Sequence, residues 1–318
     1  MNTNNSKHDT GRISVIMPCY NAEPHLVDSI ESVLGQSHPN VELIVVDDGS
    51  TDNSQAILES FGEQIVSLSQ QNKGPGPARN NGIAHATGDY VAFLDADDYW
   101  DRDCLKNLFD ALDGSSAALS YCGWQNIGGT ANRSQPYIPP DYETFDKAEQ
   151  FLQTAAPWPI HAALVRYDVL KFVGCFDEQW ATCMDYDLWL KIGTGSPIIR
   201  VEKVMAYYRH HGTTQITSKQ WRQALNVLSV KKHFIEQYPE RVSHLSQQKL
   251  RDLTYGAYLK RGFDAYWKRD LISAHRIFRR CLANRYFQPK QLKYLLPALL
   301  PEKLFIRLIG GLEGSEVK

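Results

Sequence analysis

Asp89-Tyr90-Val91-Ala92-Phe93-Leu94-Asp95-Ala96-Asp97-Asp98 is the stretch on which the fold turns. Tyr90 to Leu94 is a short, nearly all-apolar run, the pattern of a strand buried on both faces. It ends in three acids within four residues. Asp95, Asp97 and Asp98 repel one another unless a cation sits between them. Asp95 and Asp97, two apart, project alike in an extended chain. Hard oxygen ligands at a strand's carboxyl edge suit Mg²⁺ or Mn²⁺, above all when a diphosphate completes the shell. The bland alternative is a polar strand end that opens a turn and caps the next helix.

Working outward, the same grammar repeats. Val41 to Val46 is a second buried run, and it ends in Asp47-Asp48-Gly49-Ser50-Thr51-Asp52. Ile13 to Met17 is a third, ending in Pro18-Cys19-Tyr20-Asn21. Helices are expected over 25–36, 54–61, 78–86 and 101–112, with a further strand over 65–68 and another over 117–122. Residues 72–77 read as a loop, Gly88 as a C-cap and Asp101 as an N-cap. Alternating strands and helices predict a mostly parallel α/β sheet. Ligands of such sheets bind beyond the carboxyl ends of the strands. The polar ends at Pro18–Asn21, Asp47–Asp52 and Asp95–Asp98 would therefore share one edge.

Residues 123–160 are rich in Gly and Pro and read as loops. Strands are expected over 161–165 and 198–208, and a helix beginning at Asp185. From about Ser218 the chain turns helical, with a hairpin over 257–284 broken near Lys268-Arg269-Asp270. Leu292 to Leu312 is Leu-rich and split by Pro297 and Pro301. The expected organisation is a domain over 1–217, its first part about 11–122 and its second about 123–217, followed by a basic helical region over 218–318.

The 318 residues carry a formal net charge of −2, which hides an asymmetry. Residues 1–219 hold a net −13 and residues 220–318 a net +11. An acidic front disfavours nucleic-acid binding. Six cysteines without a CxxC argue against a zinc site or a disulfide framework and for a reducing compartment. The polar start shows no signal peptide, and no apolar run is long enough to span a bilayer. A cytoplasmic location is expected, with peripheral attachment to the inner face of the membrane as its variant.

In order, Ile13–Asn21, Ile44–Asp52, Asn72-Lys73-Gly74, Ala78-Arg79-Asn80-Asn81-Gly82, Gly88-Asp89-Tyr90 and Leu94–Asp98 form a series. Gly174-Cys175-Phe176-Asp177, Asp185-Tyr186-Asp187-Leu188-Trp189 and Tyr208-Arg209-His210-His211 continue it. With this series the chain resembles the family 2 glycosyltransferases of the GT-A fold over roughly residues 11–215. The resemblance implies a Rossmann-like, mostly parallel central sheet. It also implies a nucleotide-diphosphate sugar donor, UDP favoured, and displacement with inversion at the anomeric carbon. It makes Leu94–Asp98 the DXD element, with Asp97 as metal ligand for Mn²⁺ or Mg²⁺, Asp95 on the ribose with the metal as its alternative, and Asp98 as a cap of the following helix. Asp47 would read the nucleobase or its ribose, and Pro18, Tyr20 and Asn21 would line the base pocket. Arg79 would contact base or diphosphate; its alternative is a surface charge paired to an acid.

The family usually writes Glu-Asp before Asp-Leu-Trp, and here Met184 stands for the Glu. Asp185 survives as the candidate general base; its alternative is a helix cap. His211 falls where the family often has a His that completes the metal shell, with His210 as its rival. Trp158 and Trp189 read as packing or as walls of an acceptor site.

The acceptor implied is a saccharide or lipid-linked hydroxyl. Two other functions compete: a sugar nucleotidyltransferase and a non-catalytic sugar-nucleotide-binding scaffold. The first usually has a Gly-rich phosphate loop after its first strand, and Pro18–Asn21 lacks one. A dehydrogenase is disfavoured because no GxGxxG follows that strand. The basic tail carries two readings, a membrane-surface anchor and a self-association module.

Overall fold

The computed structural model describes residues 11–128, 134–210 and 220–311, and in it the three apolar runs lie side by side. β1 (Ile13–Cys19) pairs in parallel with β2 (Val41–Asp47) and with β4 (Tyr90–Phe93). β3 (Val66–Ser69) adds to β2, also in parallel. Ile13 to Met17, Leu43 to Val46 and Val91 to Leu94 are almost wholly buried, as strands covered on both faces should be. α1 (Leu26–Leu34), α2 (Ser54–Ser60) and α3 (Pro75–His85) connect them.

Beyond β4 the sheet becomes mixed. A short β5 (Tyr99–Trp100) and α4 (Cys104–Leu112) lead to β6 (Leu119–Ile127). After β7 (Ala163–Arg166) come α6 (Tyr167–Phe172), α7 (Met184–Gly195) and β8 (Ile198–Arg209), once α5 (Lys147–Gln153) has been passed. The strand order is β3-β2-β1-β4-β7-β6-β8-β5. β7 runs antiparallel to both β4 and β6, and β8 runs parallel to β6.

Several boundaries differ from expectation. α3 starts at Pro75, inside the segment read as a loop, because proline is well suited to a helix's first turn, where its missing N–H is not needed. α4 starts at Cys104 after an Asp103 cap position; Asp101 instead accepts a hydrogen bond from the Asp103 N–H at 2.9 Å. Gly88 is not a C-cap. A Cβ there would lie 2.6 Å from the Arg12 carbonyl oxygen, so the residue is small because β1 passes against it. The stretch 123–160 holds the second half of β6 and all of α5.

By compactness the chain forms two units. The first comprises Met1–Lys147 and Ala156–Gly212, the second Ala148–Ala155 and Thr213–Lys318. The second is helical: α8 (Gln220–Gln237), α9 (Gln247–Arg251), a π-helical turn at Asp252–Gly256, α10 (Ala257–Trp267), α11 (Leu271–Ala283), α12 (Leu292–Leu295) and α13 (Glu302–Gly311). The expected hairpin is α10 and α11, which break where Lys268–Asp270 was read. Its core joins Tyr258, Leu259, Ile277, Phe278, Leu295, Phe305 and Ile309. Gly262 lets the hairpin close, since a Cβ there would meet Ile277 Cγ2 at 2.6 Å.

Candidate active site

The loops after β1 and β2 are stitched together by their own polar residues. Asn21 takes a left-handed conformation, φ 50°, which asparagine tolerates better than most residues. Its N–H donates to Ser50 Oγ at 2.9 Å, and its Oδ1 accepts from the Thr51 N–H at 2.7 Å. Asp47 is buried at the end of β2 and accepts from the Ser50 N–H at 3.0 Å. Pro18 is half-buried beside it in the sheet, paired with Val46, while Tyr20 stands exposed. The four residues expected to line the base pocket thus gather on adjacent strand ends.

Asp48 faces a different task. Its Oδ1 accepts from Gln70 Nε2 at 2.8 Å and from the Lys73 N–H at 2.9 Å; its Oδ2 accepts from the Gly74 N–H at 2.7 Å. This buried carboxylate fixes the approach to α3. The sequence shows two adjacent acids there but not the division of labour.

Each residue of Ala78-Arg79-Asn80-Asn81-Gly82 has a distinct place. Ala78 is fully buried. Asn80 donates to the Phe176 carbonyl and accepts from the Phe176 N–H, tying α3 to the Gly174–Asp177 turn. Asn81 donates to Gln70 Oε1 at 2.8 Å. Gly82 lies against β1, since a Cβ would fall 2.5 Å from Ile16 Cγ2. Arg79 is buried rather than on the surface. Its Nη2 pairs with Asp95, its Nη1 lies 3.5 Å from Met184 Sδ, and its guanidinium sits 5.5 Å from the Phe176 ring centroid. Arg79 therefore links the acidic end of β4 to the first residue of α7.

The acids after β4 differ sharply. Asp98 is fully buried, accepts from the Arg209 N–H at 2.8 Å and lies 3.2 Å from His161 Nδ1. It anchors the end of β8. Asp97 is half-buried, and burial followed by the charges of Asp98 and Asp95 pushes its carboxyl up to about 7. A bound cation would relieve that repulsion. Asp185, in the first turn of α7, keeps some solvent access although atoms surround it closely. Burial raises its pKa, opposed first by the nearby Arg79 charge and then by a backbone hydrogen bond from Tyr186.

Tyr208 was not singled out as a site residue, yet the acids converge on it. Burial raises its pKa first, and the negative charges of Asp98, Asp95, Asp97 and Asp185 add to that. Its place within Tyr-Arg-His-His was the available signal. The ring stacks 6.0 Å from His161 and meets His210 edge to face at 5.0 Å. His211 lies outside the described residues.

Trp158 and Trp189 are fully buried. Trp158 stacks on Tyr121 at 4.3 Å and tilts against Trp189 at 5.6 Å. Such rings contribute about 2–3 kcal/mol each to the core. With no exposed face, Trp158 is a packing residue and not a platform for a sugar.

Among the described residues no group of three or more His, Cys, Asp or Glu side chains is arranged to hold a metal ion. Asp97 and Asp95 can offer two carboxylates. That suits Mg²⁺ or Mn²⁺ bound mainly through substrate phosphates and water, not a cage built from protein alone.

The model of glycosyl transferase family 2 matches residues 14–174, just over half of the 318 residues. An uncharacterized glycosyltransferase of Rickettsia felis is 32% identical over 210 residues, 65% of this chain and 34% of its own length. Another, of Nostoc sp., is 35% identical over 212 residues, 63% of this chain and 65% of its own. A putative teichuronic acid biosynthesis glycosyltransferase of Bacillus subtilis, TuaG, is 39% identical over 141 residues, 43% of this chain and 56% of its own. The matched stretch thus spans between a third and two thirds of these relatives.

Residues 1–349 of S. aureus TarS, in complex with UDP-GlcNAc, superpose with a TM-score of 0.58 at 17% identity, covering 96% of this chain and 93% of that one. The mannosyltransferase PcManGT from Pyrobaculum calidifontis, in complex with GDP-Man and Mn²⁺, gives 0.54 at 18% identity, covering 97% and 88%. At such identities the likeness is one of fold, a GT-A-like α/β sheet with a helical C-terminal region. Through the family model and the ordered motifs on its sheet edge, the chain belongs to glycosyl transferase family 2.

Proposed function

We propose that the protein transfers a sugar from a nucleotide-diphosphate sugar, with UDP favoured, to a hydroxyl of a saccharide or lipid-linked acceptor, inverting the anomeric carbon. The observation that carries this reading is Arg79, which pairs with Asp95 after β4 and lies 3.5 Å from Met184 Sδ, so that the start of α7 with Asp185 meets the acidic end of β4. The nucleoside would lie against Pro18, Tyr20, Asn21 and Asp47 at the ends of β1 and β2. Asp97, with Asp95 on the ribose side, would hold Mn²⁺ or Mg²⁺. That ion would neutralise charge on the departing diphosphate. His211 is the candidate for a further ligand.

Asp185 would accept the acceptor's hydroxyl proton at a carboxylate oxygen. Its raised pKa makes it a better base than an exposed aspartate, and the Arg79 charge opposes that rise. Arg79, held by Asp95, would add positive charge near the diphosphate. The nucleotides in two structural neighbours and the Mn²⁺ in one support the donor class and the metal. Met184 beside Arg79 favours a second reading, a non-catalytic sugar-nucleotide-binding protein, because the family usually has Glu there.

The test is the melting temperature with UDP, GDP, dTDP and CMP, each with and without Mn²⁺. One nucleotide should stabilise the protein only with metal. Asp97→Ala should abolish the shift. Asp185→Asn should keep it while reducing sugar transfer by about 10²-fold or more. Retained transfer in Asp185→Asn would reject its role as base. No shift with any nucleotide would reject the donor site.

A further inference from the structure

From Leu271 to Gly311 the chain holds eight Lys or Arg residues and a single acid, Glu302. That acid is engaged: Arg276 Nε donates to its Oε2 at 2.9 Å, and the bond holds the Glu302 carboxyl below its ordinary pKa. Leucines and cations make up most of the outward residues of the same stretch. Leu296, Leu299, Leu300, Leu304 and Leu308 are each 38–61% exposed. Lys293, Lys303 and Arg307 are exposed among them.

On α13 the division follows the helical period. Phe305 and Ile309, one turn apart, enter the core of the second unit. Leu304 and Leu308 form a second apolar stripe facing solvent, and Lys303 and Arg307 run alongside it. Trp267 is 65% exposed and packs edge to face on Tyr294 at 5.8 Å; the Lys293 ammonium lies 4.9 Å from the same ring. Exposed aromatics, cations and leucines together are the composition of a membrane–water boundary.

We infer that this face of α12 and α13 docks on an anionic lipid bilayer. The leucines enter the acyl boundary while Lys293, Lys303 and Arg307 reach the phosphates. Among the described residues no helix is long and apolar enough to cross a membrane. A second copy of the chain would bring like charge against like charge, whereas an anionic bilayer is complementary to the cations. This inference goes beyond the glycosyl-transfer reading and stands independently of it.

The experiment is co-sedimentation of the full chain with vesicles of phosphatidylcholine alone and of phosphatidylcholine mixed with phosphatidylglycerol, at low and high salt. The protein should pellet with the anionic vesicles, less so at high salt, and stay in solution with neutral ones. Each cation near the surface strengthens binding by about fivefold, so Lys303→Glu/Arg307→Glu should weaken it by at least tenfold. Leu304→Ser/Leu308→Ser should weaken it without removing charge. Both variants should keep the wild-type melting temperature. If one unfolds, the other decides.

Wild-type protein left in the supernatant with anionic vesicles overturns the inference. So does a solution dimer, measured by light scattering, that Leu304→Ser/Leu308→Ser converts to a monomer while vesicle binding is unchanged.

Discussion

Met184 shows how one side chain changes the chemistry around it. Its sulfur occupies the place beside Arg79 Nη1 where a carboxylate would form an ion pair, and Arg79 pairs with Asp95 through Nη2. Met184→Glu would put a new negative charge between Arg79 and Asp185. Like charge raises a neighbouring carboxyl's pKa, so the acidic limb of the pH–rate profile should move to higher pH. Met184→Gln, similar in shape but neutral, should leave the limb in place. Donor hydrolysis measured across pH checks both. An unmoved limb in Met184→Glu would mean that Arg79 and Asp185 do not share one electrostatic site. At this scale the sequence was informative about residue type and less so about use. Asp95 and Asp97 were legible as acids at a strand end, and Asp185 stood out only through the family resemblance; the roles given to all three are proposals. Asp48 and Tyr208 were not legible, because hydrogen bonding across loops and the convergence of charges on a ring depend on contacts distant in sequence.

Elements with a strong local signal were the easiest to read. β1, β2 and β4 announced themselves as apolar runs, and the α10–α11 hairpin by its polar break. α5 and the second half of β6 were hidden, since a Gly- and Pro-rich composition marks turns without excluding the short elements between them. The π-helical turn at Asp252–Gly256 had no sequence signal at all. Its Leu253 carbonyl accepts from Lys231 Nζ at 3.1 Å, and Lys231 on α8 is 1% exposed. A π turn displaces helical hydrogen bonds, and the ammonium meets a carbonyl there. Burial, with a smaller contribution from the Arg261 charge, pulls the Lys231 pKa down to about 7. Between that value and the ordinary 10.5 the unfolded chain binds a proton that the folded one releases. Stability should therefore rise with pH across this window, with the full deficit below pH 7. Lys231→Met should raise the melting temperature at neutral pH by about 4 °C or more and flatten this pH dependence. A lowered melting temperature would show that the bond to Leu253 outweighs the cost of burying the charge.

For the molecule as a whole, the sequence conveyed charge better than topology. The order β3-β2-β1-β4-β7-β6-β8-β5 was not readable, because antiparallel insertion of β7 between β4 and β6 is decided by packing over long separations. The change from net −13 in residues 1–219 to net +11 in residues 220–318 needed only counting. Its consequence depends on presentation. Charges separated by more than about 10 Å are largely screened at ordinary ionic strength, so an exchanger resin senses a local patch before the net charge. The sequence pI is about 6.6, so a molecule with evenly mixed charge should pass through a cation exchanger at about pH 8. This protein should instead be retained and elute with salt, and Lys303→Glu/Arg307→Glu should elute earlier. Flow-through of the wild type would mean that its basic residues are neutralised or dispersed. Retention unchanged by the double substitution would place the dominant patch elsewhere, for instance on Arg276, Arg279 and Arg280 of α11. The two outcomes separate a positive region that merely exists in composition from one presented beside the exposed leucines.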